Sequence, residues 1–117
     1  MSVKIYHNPR CTKSRQTLEI LKDKNIDFDV VEYLKTPLTN IEIKQIVNLL
    51  GINARDLLRK NEQAYKDNNL ADKNIDEEVI IDFMAKNPIL IERPIVVVNN
   101  EKAEIGRPPE NVLKIIN

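Results

Sequence analysis

Four β-branched residues in a row, Ile95 to Val98 in "ERPIVVVNN", constrain the fold more than any other feature of the chain. A run without polar alternation marks a strand buried on both faces. Pro94 stands immediately before it, and Asn99-Asn100 turn the chain after it. Lys102 to Ile105 then read as a returning antiparallel edge strand. At the other end of the chain "VKIY" (Val3 to Tyr6) alternates apolar and polar residues, the pattern of a short first strand. Asn8-Pro9 ends it. Good helix formers follow from Thr12 to Lys24, with Leu18, Ile20 and Leu21 as an apolar side. "FDVVEY" (Phe28 to Tyr33) reads as a second strand, which makes a βαβ unit with parallel strands.

Between these ends the pattern is helical. Thr39 with Glu42 three residues on forms a capping box. Ile43, Ile46, Val47 and Leu50 line one face, and Gly51 supplies the stop. Asn53 to Asn61 read as a short capped helix. "DEEVIIDFMAKNP" places Val79, Ile80, Phe83 and Met84 on one helical face before Pro88. Pro108 and Pro109 open a last helix whose apolar side is Val112, Leu113, Ile115 and Ile116. The element order is β-α-β, several helices, then β-β-α. That order predicts a small mixed four-stranded α/β sheet, in a single domain over 1–117 with a helical insertion at about 39–88.

The chain carries 18 cationic and 18 anionic side chains, so its formal charge is zero. Bulk charge therefore gives no reason to expect a nucleic-acid or membrane-surface protein. No apolar run approaches the ~20 residues of a membrane span. A single cysteine excludes an internal disulfide and suits a reducing compartment, so a cytoplasmic protein is expected.

That cysteine, Cys11, lies in "YHNPRCTKSR" at the expected start of the first helix. A free thiol ionises with a pKa of ~8.5, and only its thiolate is nucleophilic. Helix N-terminal N–H groups and nearby cations favour the anion. Arg10, Lys13 and Arg15 are close in sequence, and His7 is within reach. The Ser14 hydroxyl can donate to the thiolate or to a bound anion. Single cysteines are usually packing residues. Polar and charged flanks on both sides of Cys11 argue for a reactive thiol instead.

The spacing excludes several chemistries. A thiol phosphatase loop needs an arginine six positions after the cysteine, where Thr17 stands. A dithiol redox motif needs a second cysteine at Ser14. With Gly51 and Gly106 as the only glycines there is no glycine-rich phosphate loop, and no cluster has zinc-ligand spacing. Three arginines occupy unusual settings: Arg59 in "LLRKN", Arg93 in "ERPIVV" and Arg107 in "GRPP". Each guanidinium suits bidentate recognition of a tetrahedral oxyanion. Arg93 and Arg107 bracket the third and fourth strands, a placement that can bring them to the start of the first helix.

"YHNPRCTKSR", "LLRKN", "IDFMAKNPILIERPIVV" and "GRPPE", in that order, resemble the glutaredoxin-linked arsenate reductases of the thioredoxin fold, the ArsC type. The likeness runs from Val3 to the last helix. It implies Cys11 as nucleophile toward arsenate, with His7 and Ser14 tuning the thiolate. It implies Arg59, Arg93 and Arg107 as oxyanion binders, and Pro94 at the cis-proline position of thioredoxin folds. It also implies glutathione as co-substrate, glutaredoxin as partner, and no bound cofactor or metal. The chain departs from some members of the family in carrying Arg10 before the cysteine and Thr12-Lys13 after it. Two other readings use the same fold. One is a Spx-like thiol regulator that binds RNA polymerase, in which Ser14 would replace the second cysteine of the switch. The other is a glutathione-dependent reductase or transferase with a different substrate.

Overall fold

The computed structural model describes residues 1–116. The chain divides into two compact units, Met1–Thr36 with Arg93–Asn117, and Pro37–Glu92.

The first unit is built on a four-stranded mixed sheet of β1 (Val3–Tyr6), β2 (Asp29–Val31), β3 (Ile95–Val98) and β4 (Lys102–Ile105), in the order β2-β1-β3-β4. β1 and β2 are parallel and joined through helix α1 (Thr12–Asp23), while β3 runs antiparallel to both β1 and β4. The registers Val3↔Val98 and Ile5↔Val96 put four β-branched side chains on one face. Leu21 of α1 packs there with Val112 and Ile116, and Leu18, Ile20 and Phe28 close the margin. Each such buried aliphatic side chain contributes roughly 1.5–3 kcal/mol. All four residues of β3 are buried, as the unbroken apolar run requires. The turn after it uses Asn99 and Asn100 at φ 55° and 53°, left-handed geometry that asparagine tolerates well. Ser2 N–H donates to Asn99 Oδ1 and Asn99 N–H donates to the Ser2 carbonyl, which ties the turn to the start of β1.

The second unit is helical: α2 (Asn40–Leu50), α3 (Gln63–Asp67) and α4 (Glu77–Lys86), with 3-10 turns at Ala54–Leu57 and Pro88–Leu90. The capping box of α2 forms as the sequence predicts, and Gly51 ends the helix at φ 69°. Two readings need correction here. The stretch 53–61 is not one helix. Its 3-10 turn stops at Leu57, and Leu58 pairs antiparallel with Ile91, so backbone pairing overrides local helix propensity. In α4 the buried residues are Ile80, Ile81 and Met84, while Val79 is exposed. The contiguous Val-Ile-Ile run leaves the helical phase ambiguous, and Ile81 rather than Val79 turns inward.

The second strand is shorter than expected, three residues instead of six. The final segment also differs: Pro109–Val112 form a 3-10 turn, and only α5 (Leu113–Ile116) is α-helical. A 3-10 turn is a common first turn of a helix, and Pro109 suits its first position because the N–H it lacks would go unpaired there. Among the described residues no helix is long and apolar enough to cross a membrane.

Candidate active site

Pro9 and Arg10 make the turn between β1 and α1, and Asn8 organises it. Its carbonyl accepts from the Cys11 N–H at 3.0 Å, and its side-chain Oδ1 accepts from the Arg10 N–H at 3.0 Å. The Arg15 guanidinium reaches back to the Pro9 carbonyl at 2.9 Å and Thr12 Oγ1 at 3.3 Å. These bonds set Cys11 at the N-cap of α1 with extended backbone. Cys11 is partly exposed. The sequence marks Asn8 as the end of the first strand but not as the residue that holds the cysteine turn. Its signal was an asparagine before proline, a residue that bonds its own downstream backbone.

Beneath the cysteine lies a buried polar cluster. His7, Asn8, Ser14 and Thr17 are all inaccessible to solvent or nearly so. His7 Nδ1 and Ser14 Oγ are 2.6 Å apart, and the Asn8 N–H donates to the same Oγ at 3.1 Å. Burial holds the His7 imidazole below its ordinary value. Glu32 opposes that shift, and Arg15 and Lys22 reinforce it.

The arginines at the two ends of the β3–β4 hairpin meet the sulfur. Arg107 Nη1 donates to Cys11 Sγ at 3.7 Å and to the Arg93 carbonyl at 3.0 Å. Arg93, only 8 % exposed, bears on the same sulfur. The peptide bonds Arg93-Pro94 and Arg107-Pro108 are both cis. The sequence had singled out only the first. Gly106 supports this junction. A β-carbon there would lie 2.5 Å from Thr17 Oγ1 and 2.8 Å from Pro94 Cγ, so only glycine lets the hairpin close onto α1. Its N–H donates to the Pro94 carbonyl at 2.9 Å. The Asn111 side chain donates to the Arg107 carbonyl at 3.1 Å.

Burial pushes the Cys11 thiol up. The Ser14 backbone N–H, followed by the Arg93 and Arg107 guanidiniums, outweighs burial and brings the pKa below its ordinary value. The Ser14 N–H acts without closing a formal cap hydrogen bond to the sulfur. This differs from the sequence expectation in one respect. The cations that act on the sulfur are Arg93 and Arg107, far away in sequence, whereas Arg10, Lys13 and Arg15 are exposed neighbours.

Arg59 belongs to the helical unit. There its backbone N–H donates to the Leu90 carbonyl at 2.7 Å. Its guanidinium pairs with Glu92 at 2.9 Å and more loosely with Glu62 at 3.8 Å. A cleft of about 230 Å³ in the same unit is lined by Asn53, Arg55, Ile75, Glu77 and Ile80. Its charged groups are already engaged: Arg55 donates to the Leu70 and Asp72 carbonyls, and Glu77 accepts from the Ala54 N–H. Among the described residues no group of His, Cys, Asp and Glu could hold a metal ion.

The thiol at the start of α1 thus has Arg93 and Arg107 beside it, two of the three arginines that the sequence resemblance names. The ArsC family model matches residues 6–115. The chain belongs to the ArsC family. It is 53 % identical over 97 % of its length to the uncharacterized protein YfgD of Escherichia coli K12, covering 96 % of that protein. It is 43 % identical to an arsenate reductase of Neisseria meningitidis, over 97 % of both chains. The structure superposes on an arsenate reductase from Vibrio cholerae with a TM-score of 0.95 at 46 % identity, covering 99 % of this chain and 98 % of that one. The mixed sheet is thus the thioredoxin-like fold of ArsC proteins.

Proposed function

We propose that this chain reduces arsenate to arsenite in the cytoplasm, with glutathione and glutaredoxin supplying the electrons. The observation that carries this reading is the Cys11 sulfur, 3.7 Å from Arg107 Nη1 at the start of α1, with its thiol held below its ordinary pKa. Membership of the ArsC family and the printed activity of the Neisseria and Vibrio relatives support arsenate as the substrate.

In this mechanism Arg93, Arg107 and the first N–H groups of α1 bind the oxyanion. Cys11 thiolate attacks arsenic. An As–O bond breaks, and its oxygen leaves as water after protonation, which gives a thio-arsenate with arsenic still at +5. Glutathione thiolate then attacks the Cys11 sulfur. A sulfur–sulfur bond forms, the S–As bond breaks, and its electron pair stays on arsenic, which leaves as arsenite at +3. Glutaredoxin thiolate attacks the glutathione sulfur of the mixed disulfide and releases Cys11 thiolate. One cysteine is enough, because the second sulfur comes from glutathione. His7 and Ser14 are assigned to tuning the thiolate, Pro94 to shaping the Arg93 turn, and Arg59 to oxyanion binding on the family resemblance. Phosphate binds the same cations but cannot be reduced, so it competes with arsenate.

The test is arsenate-dependent NADPH oxidation coupled through glutathione reductase, with and without glutaredoxin. Turnover is expected only with all components, and Cys11→Ser is expected to abolish it. Turnover by Cys11→Ser at the parental rate, or no arsenate-dependent oxidation by the parent, overturns the reading. Capture of RNA polymerase by a protein without that turnover would point to the regulator class instead.

A further inference from the structure

Arg107 reaches the sulfur from a backbone that is bonded on both sides. Its N–H donates to the Ile105 carbonyl at 2.9 Å. Its guanidinium donates to the Arg93 carbonyl at 3.0 Å as well as to Cys11 Sγ at 3.7 Å. Its own carbonyl accepts from Asn111 Nδ2 at 3.1 Å. The two residues after Arg107 are prolines, which bring no N–H to that carbonyl. The Asn111 N–H is directed to the Pro108 carbonyl at 3.0 Å, and the Asn111 side-chain amide supplies a donor in its place. Asn111 stands on firm ground. Pro109 and Val112 of the same 3-10 turn are buried, and Val112 packs with Leu21 of α1 and Val96 of β3. The Asn111 side chain thus links the packed core to the backbone of the residue whose guanidinium lies at the sulfur. Asparagine bonds of this four-residue span occur twice more. Asn68 Nδ2 donates to the Ala64 carbonyl at 2.8 Å, and Asn87 Nδ2 donates to the Phe83 carbonyl at 3.0 Å. Both asparagines stand at a C-cap, of α3 and α4, where the last helical carbonyls lack intrahelical partners. Arg107 lies in no helix, so the same bond there holds a site residue rather than a helix end.

We propose that Asn111 is a positioning residue, which holds the Arg107 carbonyl and so aims the Arg107 guanidinium at Cys11 Sγ before an oxyanion arrives. The inference rests on the oxyanion-binding reading above and adds to it the residue that sets one of the binding cations in place. A guanidinium fixed in advance loses less side-chain freedom when the oxyanion binds, and its charge is already where the thiolate needs it. The groups that favour the Cys11 anion are the Ser14 N–H, Arg93 and Arg107. Asn111 acts through Arg107, so its loss weakens one of the three and leaves the other two in place.

The experiment is a double-mutant cycle read by the ultraviolet titration of the Cys11 thiolate, and it needs no arsenate. Arg107→Ala is expected to move the titration up. Asn111→Ala is expected to move it in the same direction and by less. The variant that carries both is expected to titrate where Arg107→Ala does, because the residue through which Asn111 acts is gone. Asn111→Leu fills the side-chain volume without a donor. It is expected to match Asn111→Ala, which separates the bond from the packing. Asn87→Ala removes the same kind of bond from the end of α4 and is expected to lower the melting temperature with the thiol titration unmoved. In the arsenate assay Asn111→Ala is expected to raise the KM for arsenate about threefold, the loss of one neutral hydrogen bond, and to change kcat less. A titration unmoved by both Asn111→Ala and Asn111→Leu overturns the proposal. So does a shift that persists in full when Arg107 is absent. Coupling of the two residues in a protein without arsenate turnover upholds the positioning and overturns the arsenate reading alone.

Discussion

Helices α1 and α2 begin in opposite ways. At α2 Thr39 Oγ1 accepts from the Glu42 N–H at 3.2 Å, and Glu42 Oε1 accepts from the Thr39 N–H at 3.1 Å. α4 likewise opens on Glu77 and Glu78. Both helices place negative charge where the dipole favours it. α1 has no acidic residue in its first turn, no side-chain cap bond, and a cysteine at the N-cap. It forgoes about 1 kcal/mol of capping. In exchange its first N–H groups face a sulfur that Arg93 and Arg107 also address. The helix of the second unit starts in the way that best stabilises a helix, whereas the helix of the first unit starts in the way that best stabilises a thiolate.

The substitution Cys11→Asp breaks the contrast most severely. Aspartate is a strong N-cap, and its carboxylate would face the same two guanidiniums. Thermal stability is expected to rise by about 1 kcal/mol, or roughly 4 °C for a domain of this size. Arsenate turnover is expected to fall at least about 10³-fold, because the nucleophile is gone. Calorimetry and the coupled assay read the two effects separately. A protein that loses both stability and turnover would mean that the α1 terminus is not held back from optimal capping by its cysteine.

Thr39→Ala makes the complementary change at α2 and has a smaller effect. Loss of the reciprocal cap is expected to lower stability by about 1 kcal/mol, with the ultraviolet titration of the Cys11 thiolate and the KM for arsenate both unmoved. If the thiol titration shifts along with the melting temperature, the two helix starts do not act independently and the contrast loses its meaning.

Features that depend on neighbours in sequence were legible without coordinates. The β3 run, the Thr39–Glu42 box, the Gly51 stop and the position of Cys11 at the mouth of α1 all follow from local rules. Long-range pairing was harder to read. "LLRKN" has helix-forming residues, but Leu58 is drawn into a bridge with Ile91, and Arg59 follows it out of the helix. Gly106 owes its identity to Thr17 and Pro94, the first of them 89 positions earlier in the chain, and no local pattern reports that approach. The nearby cations in the sequence also drew attention as tuners of the thiol, although the topology gives that task to Arg93 and Arg107. The scarcity of glycine was a usable clue. With two in the whole chain, one placed directly before an arginine asks for a steric reason.

The smallest expected effect concerns the layer beneath the cysteine. His7 is the only histidine of the chain, so its proton resonances are free of overlap. Burial lowers its pKa from the ordinary 6.5, so the folded protein holds it neutral at pH 7. The unfolded chain takes up that proton first as pH falls. The stability that comes from neutral His7 is therefore complete above about pH 6.5, declines as pH falls through the window below it, and levels off under the folded pKa. A His7→Gln variant should flatten that decline. Ser14 Oγ accepts from the Asn8 N–H and keeps a second lone pair, so its 2.6 Å contact with His7 Nδ1 is served either by a hydroxyl that donates to Nδ1 or by an Nδ1–H that donates to the hydroxyl. Nitrogen NMR at pH 7.5 tells the two arrangements apart. A ring protonated at Nδ1 would leave the Ser14 proton free to turn toward the Cys11 thiolate, and a ring titrating above 6.5 would overturn the stability prediction.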